Sequence, residues 1–479
     1  MSMNRELIID DSLGYLRAAV LEDNVLCEVH IEKQLDNDQT ESLFYAKVQA
    51  IKPSIHAAFV DIGTQLHAFL PLTDEMHLRC GDTLIVQGLA KQATDSKGLR
   101  VSEKINLAGK WLVLLPNGEG VHVSKKVKDP ALRSQLQELG RQICPPQCGL
   151  IIRTASEDVT QELLEEEACS LYALWSEISL KARGLNKPGL LHRRLPLHMR
   201  LARDLKDLSR IVINTKRGFD LLQDAGDREL NLLCTKVDLF EETNQLIFDA
   251  FNIETQIDKA LKKRVWLPCG GYLIIDYCEA MTVIDVNSGK MVLGRDLEDT
   301  AIRVNLEAAV EIARQLRLRD IGGIVIVDFI DMRSAENRKM LVQAMRTAVS
   351  SDRSGVNVEG ITRLGLMELT RKRRHTQLHK ALRCSCSYCS SAGEVLAADE
   401  VARRALRQVR RMILSGQRGP FVIRCNPTAA QALSGACIPE HAQIFVCAAH
   451  GRHAEKYEIN QIGAGMQIPG DAVALNQKD

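Results

Sequence analysis

The sequence of 479 residues contains no apolar run that approaches the roughly 20 residues needed to cross a bilayer. Its first ten residues, MSMNRELIID, include no basic segment followed by an apolar one, so no secretory signal is indicated. Biased low-complexity segments are missing too, and the composition, 45% hydrophobic and 26% charged, is that of a globular chain. We therefore predict a soluble, cytoplasmic protein of three or four domains, since single cores stop growing beyond about 300 residues.

The sequence also gives no indication of a disulfide framework. Its fourteen cysteines mostly stand alone within apolar stretches, as at Cys27, Cys234, Cys278 and Cys447. Isolated cysteines of this kind are typical of buried, reduced thiols.

The segment RCSCSYC is the exception. Cys386 and Cys389 have the C-x-x-C spacing of one half of a tetrahedral zinc site, and no second C-x-x-C occurs in the chain. The other two ligands could come from a second copy of the chain, or locally from His375 and His379, four residues apart on a predicted helix. A metal-free thiol pair is the third interpretation.

The net charge of only +1 hides a basic segment. Between residues 363 and 383 seven basic residues face a single acid, Glu368. The segment is either a solvated helix face or a stripe that binds a polyanion. The basic residues are Arg363, Arg371, Lys372, Arg373, Arg374, Lys380 and Arg383.

Residues 42–105 contain short alternating strands separated by turns, which favours a small barrel or sandwich. Further along, GYLIIDYCEAMTVIDV predicts two strands joined by a tight turn, and apolar residues then recur every three or four positions up to Leu316, as in a helix. IVIVDFIDM begins as another buried strand. Strand, helix and strand form the crossover unit of a parallel sheet.

This unit brings two distant carboxylates together. Asp285 and Asp328 come late in strands that run the same way, so both are predicted at the carboxyl edge, where such sheets bind ligands. Asp276 lies beside the turn, and we expect it about four residues, roughly 13 Å, from Asp285. Two converging carboxylates would repel unless a divalent cation such as Mg²⁺ neutralised them, and Asn287 could support the site. The alternative is that both aspartates only cap turns and helices.

The segments EAMTVIDVNSG, EIARQLRLRDIGGIVIVDFIDM and GLMELTRKR resemble the ribonuclease E/G family, as do AAFVDIG, HAFLPL, GLIIRTA and GGYLIID in the same order. The resemblance implies an α/β and β multidomain fold: an OB-fold RNA-binding domain inserted in an RNase H-like subdomain, then a DNase I-like α/β catalytic subdomain, a zinc link and a small C-terminal domain. The implied boundaries are 1–38 with 200–262 (RNase H-like), 39–104 (OB-fold), 105–199 (5′-sensor region), 263–383 (DNase I-like), 384–393 (zinc link) and 394–479 (small domain).

The resemblance also implies an activity. Asp285 and Asp328 match the aspartates that hold Mg²⁺, and Asn287 matches the asparagine that supports them, while Asp331 is expected to support the site rather than to bind the cation. The implied reaction is endonucleolytic hydrolysis of single-stranded RNA, which leaves a 5′-phosphate and a 3′-hydroxyl. Processing of rRNA and tRNA and decay of mRNA are the expected roles.

Further residues match the family's RNA contacts. Phe59, Phe69 and Lys97 correspond to its RNA-binding residues in the OB-fold, where aromatic faces stack on bases and lysines follow the backbone. A pocket that prefers a 5′-monophosphate is implied at four residues, in which arginine would bind the phosphate through its planar fork. These four are Gly109, Val113, Arg153 and Thr154.

In the family the zinc link is shared between protomers, which implies a homodimer, with a homotetramer as a larger assembly. The chain departs from the family pattern in SLFYAKV before the aromatic residues, in SSAGEV after the cysteines, and at Cys384, which stands one residue before the position of an expected extra cysteine.

Two other functions fit parts of the sequence: a non-catalytic RNA-binding scaffold, and a metal-dependent phosphatase acting on small esters.

Overall fold

The structure is a computed structural model. It describes residues 4–33, 39–73, 76–89, 99–157, 159–226, 235–289, 297–373, 376–384, 386, 388–389, 393–435, 443–463 and 467–475. Contacts divide the chain into two compact units, residues 1–381 and 382–479. Within the described residues, none of the helices is both long enough and apolar enough to span a membrane.

Four sheets are present among the described residues of the first unit. Its strands are β1 (Arg5–Ser12), β2 (Tyr15–Glu22), β3 (Val25–Lys33), β4 (Leu43–Lys52), β5 (Ala57–Asp61), β6 (Ala68–Pro71), β7 (Thr83–Gly88), β8 (Val101–Ser102), β9 (Leu107–Ala108), β10 (Leu112–Leu115), β11 (Val121–Val123), β12 (Gly149–Ile152), β13 (Gly189–His192), β14 (Leu208–Ile213), β15 (Lys236–Leu239), β16 (Arg264–Trp266), β17 (Tyr272–Tyr277), β18 (Met281–Asn287), β19 (Gly323–Asp328), β20 (Val356–Ile361) and β21 (Leu366–Arg371).

Helices pack against these sheets. They are α1 (Pro130–Ile143), α2 (Gln161–Gly184), α3 (Leu197–Asp204), α4 (Lys216–Gly226), α5 (Ile247–Ala250), α6 (Ile253–Ala260), α7 (Leu297–Leu318) and α8 (Ala335–Ala348), and a short helix, α9 (Leu378–Leu382), follows.

The first sheet has the strand order β15-β14-β1-β2-β3. Strand β1 is antiparallel to β2 and parallel to β14, so segments some 200 residues apart in the chain form one sheet. Apolar residues cover both of its faces: Leu7 and Ile211 pack with α3 on one side, and Ile8 and Val212 pack with α5 and α6 on the other. The sheet is therefore a buried platform.

The second sheet is barrel-like, as the alternating pattern of residues 42–105 predicts. Its order is β6-β5-β4-β7-β8, with β13 paired to β4. The Phe69 N–H donates to the Leu99 carbonyl at 2.8 Å, which connects β6 to the segment before β8 and curves the sheet back on itself. Val48, Val60 and Leu70 lie in its core.

A third sheet, of order β11-β12-β10-β9, lies against α1 and α2. Leu112, Leu150 and Ile152 from the strands and Leu164 and Ala168 from α2 share its core. The loop between β9 and β10, which carries Gly109, is thereby held close to α2.

The fourth sheet confirms the predicted crossover unit. Its order is β16-β17-β18-β19-β21-β20, β18 and β19 are parallel, and α7 connects them. Val304, Ala308 and Ile312 of α7 are fully buried against one face of the sheet, with Leu341 of α8. The predicted hairpin is present as β17 and β18.

The second unit is a smaller α/β fold with the sheet order β24-β22-β23-β25. Its elements are α10 (Ala398–Leu414), β22 (Phe421–Cys425), α11 (Pro427–Ser434), β23 (Ile444–Ala448), β24 (Tyr457–Gln461) and β25 (Val473–Ala474). One face of α10 packs on the sheet through Val401, Ala405 and Val409.

The structure corrects the interpretation of the basic segment. Arg371 is 6% exposed and forms ion pairs with Asp320 at 2.6 Å and Asp352 at 2.7 Å. It is therefore a structural residue, neither part of a solvated face nor free to bind a polyanion.

The cysteine prediction is correct in part. Cys27 and Cys447 are buried, as expected, but Cys278 is exposed in the turn of the hairpin. Cys234 lies outside the described residues.

Candidate functional site

Asp285 and Asp328 are direct partners in the register of the parallel strands β18 and β19. Since neighbouring strands lie about 4.8 Å apart, the backbones that carry the two carboxylates are in lateral contact. The residues that flank Asp285 in β18, Ile284 and Val286, are buried against the helices. Both carboxylates therefore project from the opposite face, near the carboxyl ends of their strands, where Asp285 is half-buried and Asp328 is exposed.

Asn287, the last residue of β18, lies on the same face. Its side-chain amide donates to Asp285 Oδ2 at 2.7 Å. This contact fixes the orientation of the carboxylate. The other oxygen of Asp285 accepts no hydrogen bond from any residue that the structure describes.

A second asparagine, which sequence analysis missed, holds the segment after Asp328. Asn305 is fully buried in α7; its amide donates to the Ile330 carbonyl at 2.8 Å and accepts from the Ile330 N–H at 3.1 Å. The sequence could have revealed Asn305, because it is a polar residue within the apolar stripe of α7. A buried amide needs hydrogen-bond partners for both its oxygen and its nitrogen.

Asp276 is closer to Asp285 than predicted. It pairs with Val283, so it lies two residues along the hairpin from Asp285 rather than four, on the same face. Its carboxylate is bound by Lys263 Nζ at 2.6 Å. Asp331 is exposed beyond the end of β19, and none of its described contacts reaches the aspartate pair. Asp276 thus remains a poor partner, because a lysine already neutralises it.

The donor set fits a hard divalent cation. Two carboxylates side by side, one of them oriented by an amide, supply the oxygen ligands that Mg²⁺ takes while it retains several waters. Among the described residues no group of three or more His, Cys, Asp or Glu side chains is arranged so that it could hold a metal ion.

Phe59 and Phe69 come together on the barrel-like sheet. They are register partners on β5 and β6, with ring centroids 6.0 Å apart in an edge-to-face arrangement. Both are half-buried, whereas their strand neighbours Ala58 and Leu70 are in the core. Lys52 Nζ lies 5.5 Å from the Phe59 ring. The pair forms an aromatic surface beside a cation; Lys97 lies outside the described residues.

Arg153 and Gly109 meet where β12 ends beside the β9–β10 loop. Arg153 Nη1 donates both to the Gly109 carbonyl and to Asp204 Oδ1, the latter at 2.9 Å. Thr154 follows Arg153, and its carbonyl accepts from Lys206 Nζ at 2.7 Å. Val113 is half-buried on β10, paired with Ile151 immediately before this end of β12. The four residues predicted for the 5′ pocket are thus close together.

The sequence analysis did not predict a role for two acidic residues in this region. The first, Asp204 at the end of α3, lies between Arg153 and Arg203, and the two guanidinium groups keep the pKa of its carboxyl below the usual range although burial opposes this. A Lys/Arg-rich helix end with one acid, LARDLK, was the available signal.

The second acid, Glu167 of α2, shapes the loop. Its carboxylate accepts three consecutive backbone N–H groups, from Lys110 at 2.6 Å, Trp111 at 2.9 Å and Leu112 at 2.7 Å. Burial raises the pKa of this carboxyl, and the three N–H donors counteract that shift. A Cβ atom on Gly109 would lie 2.6 Å from the Glu167 carboxyl carbon, so a larger residue at this position would displace the Glu167 carboxylate.

Cys386 and Cys389 lie in the second unit, Cys386 exposed and Cys389 half-buried. The backbone N–H groups of Cys389 and Tyr388 lower the pKa of the Cys386 thiol, which favours the thiolate that binds metals. The ring of His453 packs on Tyr388 with centroids 4.7 Å apart and so ties the cysteine turn to its own unit. His379 packs on Tyr277 in the first unit, and His375 lies outside the described residues.

The fold and the site define a multidomain α/β protein that combines a carboxylate pair on a mixed sheet with a barrel-like sheet bearing paired aromatic residues. The sequence model of the ribonuclease E/G family matches residues 106–374. The chain belongs to the ribonuclease E/G family, and it is an enzyme.

Its relatives include both branches of the family. The chain is 33% identical to ribonuclease G of Escherichia coli K12 over 456 residues, which cover 90% of this chain and 93% of that protein. It is 34% identical to ribonuclease G of Haemophilus influenzae over 451 residues, 89% of this chain and 91% of the relative. Ribonuclease E of E. coli K12 is 33% identical over 431 residues, 85% of this chain but 40% of that longer protein.

Proposed function

We propose that the protein is a Mg²⁺-dependent endoribonuclease that cleaves single-stranded RNA and prefers substrates with a 5′-monophosphate. The observation that carries this proposal is the in-register pair of Asp285 and Asp328, with Asn287 bonded to Asp285. A scaffold would have no use for two carboxylates side by side on a sheet, whereas a bound divalent cation would offset their mutual repulsion. The names of the relatives, ribonuclease G and ribonuclease E, point the same way.

Asp285 and Asp328 would hold Mg²⁺, which when bound neutralises phosphate charge and makes a water molecule more acidic. Asn287 keeps Asp285 in one orientation through Oδ2. In the proposed hydrolysis the bond between phosphorus and the 3′-oxygen breaks. The water oxygen becomes part of the 5′-phosphate product, and the 3′-oxygen leaves as a hydroxyl.

Phe59 and Phe69 are proposed to stack on bases of the single strand. Their half-buried rings and the nearby ammonium of Lys52 combine an aromatic surface with a positive charge, the pattern of sequence-tolerant binding to single strands. This binding would deliver the RNA to the enzyme without requiring a particular sequence.

The 5′-monophosphate is proposed to bind at Arg153, with the Thr154 hydroxyl as a further donor and with Gly109 and Val113 against the terminal nucleotide. Arg153 carries a full charge in a partly buried position, which strengthens its hydrogen bonds to phosphate oxygens. A 5′-hydroxyl end offers no charge to this group. Cleavage of 5′-phosphorylated RNA should therefore be preferred.

Cys386 and Cys389 are proposed to bind a structural zinc ion with the same two cysteines of a second chain. Two exposed or half-exposed thiols with C-x-x-C spacing supply half of a closed tetrahedral site. The enzyme would then be a zinc-linked homodimer, and the cytoplasm is its proposed location.

Cleavage of a labelled single-stranded RNA in Mg²⁺ tests the central proposal. Asp285→Asn and Asp328→Asn should each lower the rate by at least about a hundredfold, because loss of an outer partner of a metal site alone costs about 10- to 100-fold. Asp276→Asn is the matched control: it lies on the same face but is neutralised by Lys263, so its rate should stay near that of the wild type.

Wild-type cleavage by either of the two variants would remove that residue from the proposed cation site. RNA binding by the wild type without cleavage at any Mg²⁺ concentration would support the scaffold instead.

A further inference from the structure

We infer that Asp204 is the positioning residue of the 5′-phosphate pocket: it anchors one nitrogen of Arg153 and so directs the remaining edge of the guanidinium at the phosphate. The inference rests on the proposed preference for a 5′-monophosphate. It concerns how the pocket obtains that preference.

The hydrogen bonds of Arg153 are concentrated on one atom. Nη1 donates to Gly109 and to Asp204, and the backbone N–H of Arg153 donates to the Trp111 carbonyl at 2.8 Å. Nε and Nη2 bond no residue in the described part of the chain. These two atoms form the edge of a guanidinium that matches two oxygens of a phosphate.

The negative charge of Asp204 is balanced by a second arginine as well as by Arg153. Arg203 binds the same carboxylate, with Nε 3.0 Å from Oδ1 and Nη2 3.3 Å from Oδ2. Arg203 Nη1 donates in turn to the Ala108 carbonyl at 2.6 Å. Two adjacent carbonyls, of Ala108 and Gly109, therefore each accept from one of two arginines joined by Asp204.

This arrangement leaves a positive charge available to the ligand. The carboxylate of Asp204 is shared by two guanidinium groups, so together the three side chains carry one positive charge. A 5′-phosphate would bind it at the Nε and Nη2 edge, which lies away from the anchored nitrogen. Asp204 would thus orient Arg153 without blocking it.

Asp204 could instead compete with the phosphate for Arg153, and this role predicts the opposite change in the preference for 5′-phosphate. If Asp204 occupied the place of the phosphate, binding would require its displacement, and removal of the carboxylate would increase the preference for 5′-phosphate. The two roles are distinguished by variants that separate the charge of Asp204 from its capacity to accept a hydrogen bond.

The experiment compares kcat/KM for two RNAs that differ only in a 5′-phosphate or a 5′-hydroxyl. Asp204→Ala should lower the ratio of the two values about tenfold, the effect of losing one charge-assisted hydrogen bond, and mainly through a higher KM for the phosphorylated RNA. Asp204→Asn still accepts from Nη1 and should retain most of the ratio. Asp238→Asn, in an ion pair with Arg210 on another sheet, should leave the ratio at the wild-type value.

A general folding defect would lower both values of kcat/KM together and leave their ratio unchanged. An unchanged or increased ratio in Asp204→Ala overturns the inference while the proposed 5′ preference stands. A ratio near one in the wild type overturns both. If Asp204→Ala does not fold, Asp204→Leu tests the same contact, because leucine fills the space of the carboxylate but accepts no hydrogen bond from Arg153 Nη1. It should lower the ratio about tenfold, and an unchanged or increased ratio again overturns the inference.

Discussion

Arg317, in the last turn of α7, forms an ion pair with Glu22 at the end of β2, with Nη2 2.8 Å from Oε1. The same guanidinium binds Glu28 of β3 at 3.0 Å, and all three side chains are about 11% exposed. The helix that connects the two candidate catalytic strands is thereby fastened to the first sheet. We call these three side chains the α7 junction. The position of the candidate site depends on the α7 junction as well as on the sheet that carries the two aspartates.

The α7 junction should make the free energy of unfolding depend on pH. Hydrogen bonds from Arg317 and Arg5 lower the pKa of Glu22 from 4.5 to about 2 against the opposing effect of burial. Since the folded value is depressed, the stabilisation is present above about pH 4.5 and is lost as the pH falls toward 2. Glu22→Gln should lower the free energy of unfolding by about 3 kcal/mol at pH 7 and by clearly less at pH 3.

Urea denaturation at the two pH values measures this difference. Asp220→Asn, which breaks an exposed pair with Lys216, is the control and should change the free energy by less than about 0.5 kcal/mol. An equal loss at pH 7 and pH 3 for Glu22→Gln would show that its charge contributes nothing.

Gly109→Ala should disturb the proposed 5′ pocket. The added methyl would lie 2.6 Å from the Glu167 carboxyl carbon, so Glu167 would have to release the N–H groups of Lys110 to Leu112. We expect a loss of about 1–3 kcal/mol in stability, the cost of buried groups left without partners, and a lower preference for 5′-phosphorylated RNA.

Gly184→Ala, at the end of α2, is a matched control, because nothing lies within 4 Å of its added Cβ. It should leave both the melting temperature and the substrate preference close to those of the wild type. A Gly109→Ala variant with the same behaviour would contradict the packing described for the loop.

Phe59→Ala and Phe69→Ala should each weaken the binding of a single-stranded RNA. Stacking on one base contributes about 1–3 kcal/mol, which corresponds to roughly a tenfold increase in Kd or more. Fluorescence anisotropy with labelled RNA measures the change, and Leu66→Ala, at an exposed leucine in the same barrel-like sheet region, serves as the control. Unchanged affinity in both phenylalanine variants would mean that the rings only pack against each other.

Zinc analysis beside native mass measurement tests the proposed metal link. The wild type should contain one zinc for every two chains and have the mass of a dimer or a multiple of it, whereas Cys386→Ser and Cys389→Ser should lose both the zinc and the linkage. Cys278→Ser removes another exposed thiol and should change neither. One zinc per chain in a monomer would favour a local site with histidine ligands, and no zinc at all would mean an ordinary thiol pair.

The sequence predicted the crossover unit well because its signals are local and repeated. The period of α7 and the apolar strand that follows it determine the direction of β18 and β19, and hence that Asp285 and Asp328 emerge near the same end. The barrel-like sheet was predictable for the same reason, since alternation and turns recur every few residues.

The register of the strands and the partners of charged side chains were harder to predict from the sequence. Asp276 was expected four residues from Asp285, and a tight hairpin of three connecting residues places it two away. Arg371 was assigned to a basic surface, yet Asp320 and Asp352, distant in the sequence, bury it. Charge in a sequence does not reveal its partner, because ion pairs depend on which elements pack together.

The sequence by itself determined the crossover unit, the barrel-like sheet and the two aspartates whose strands run together. Tertiary structure decided which acids are already neutralised, which arginines are anchored, and that Asp204, Glu167 and Asn305 bind segments distant from them in the sequence. The physical reason is that periodicity follows from backbone geometry within one segment, whereas hydrogen bonds between segments exist only after the chain has folded.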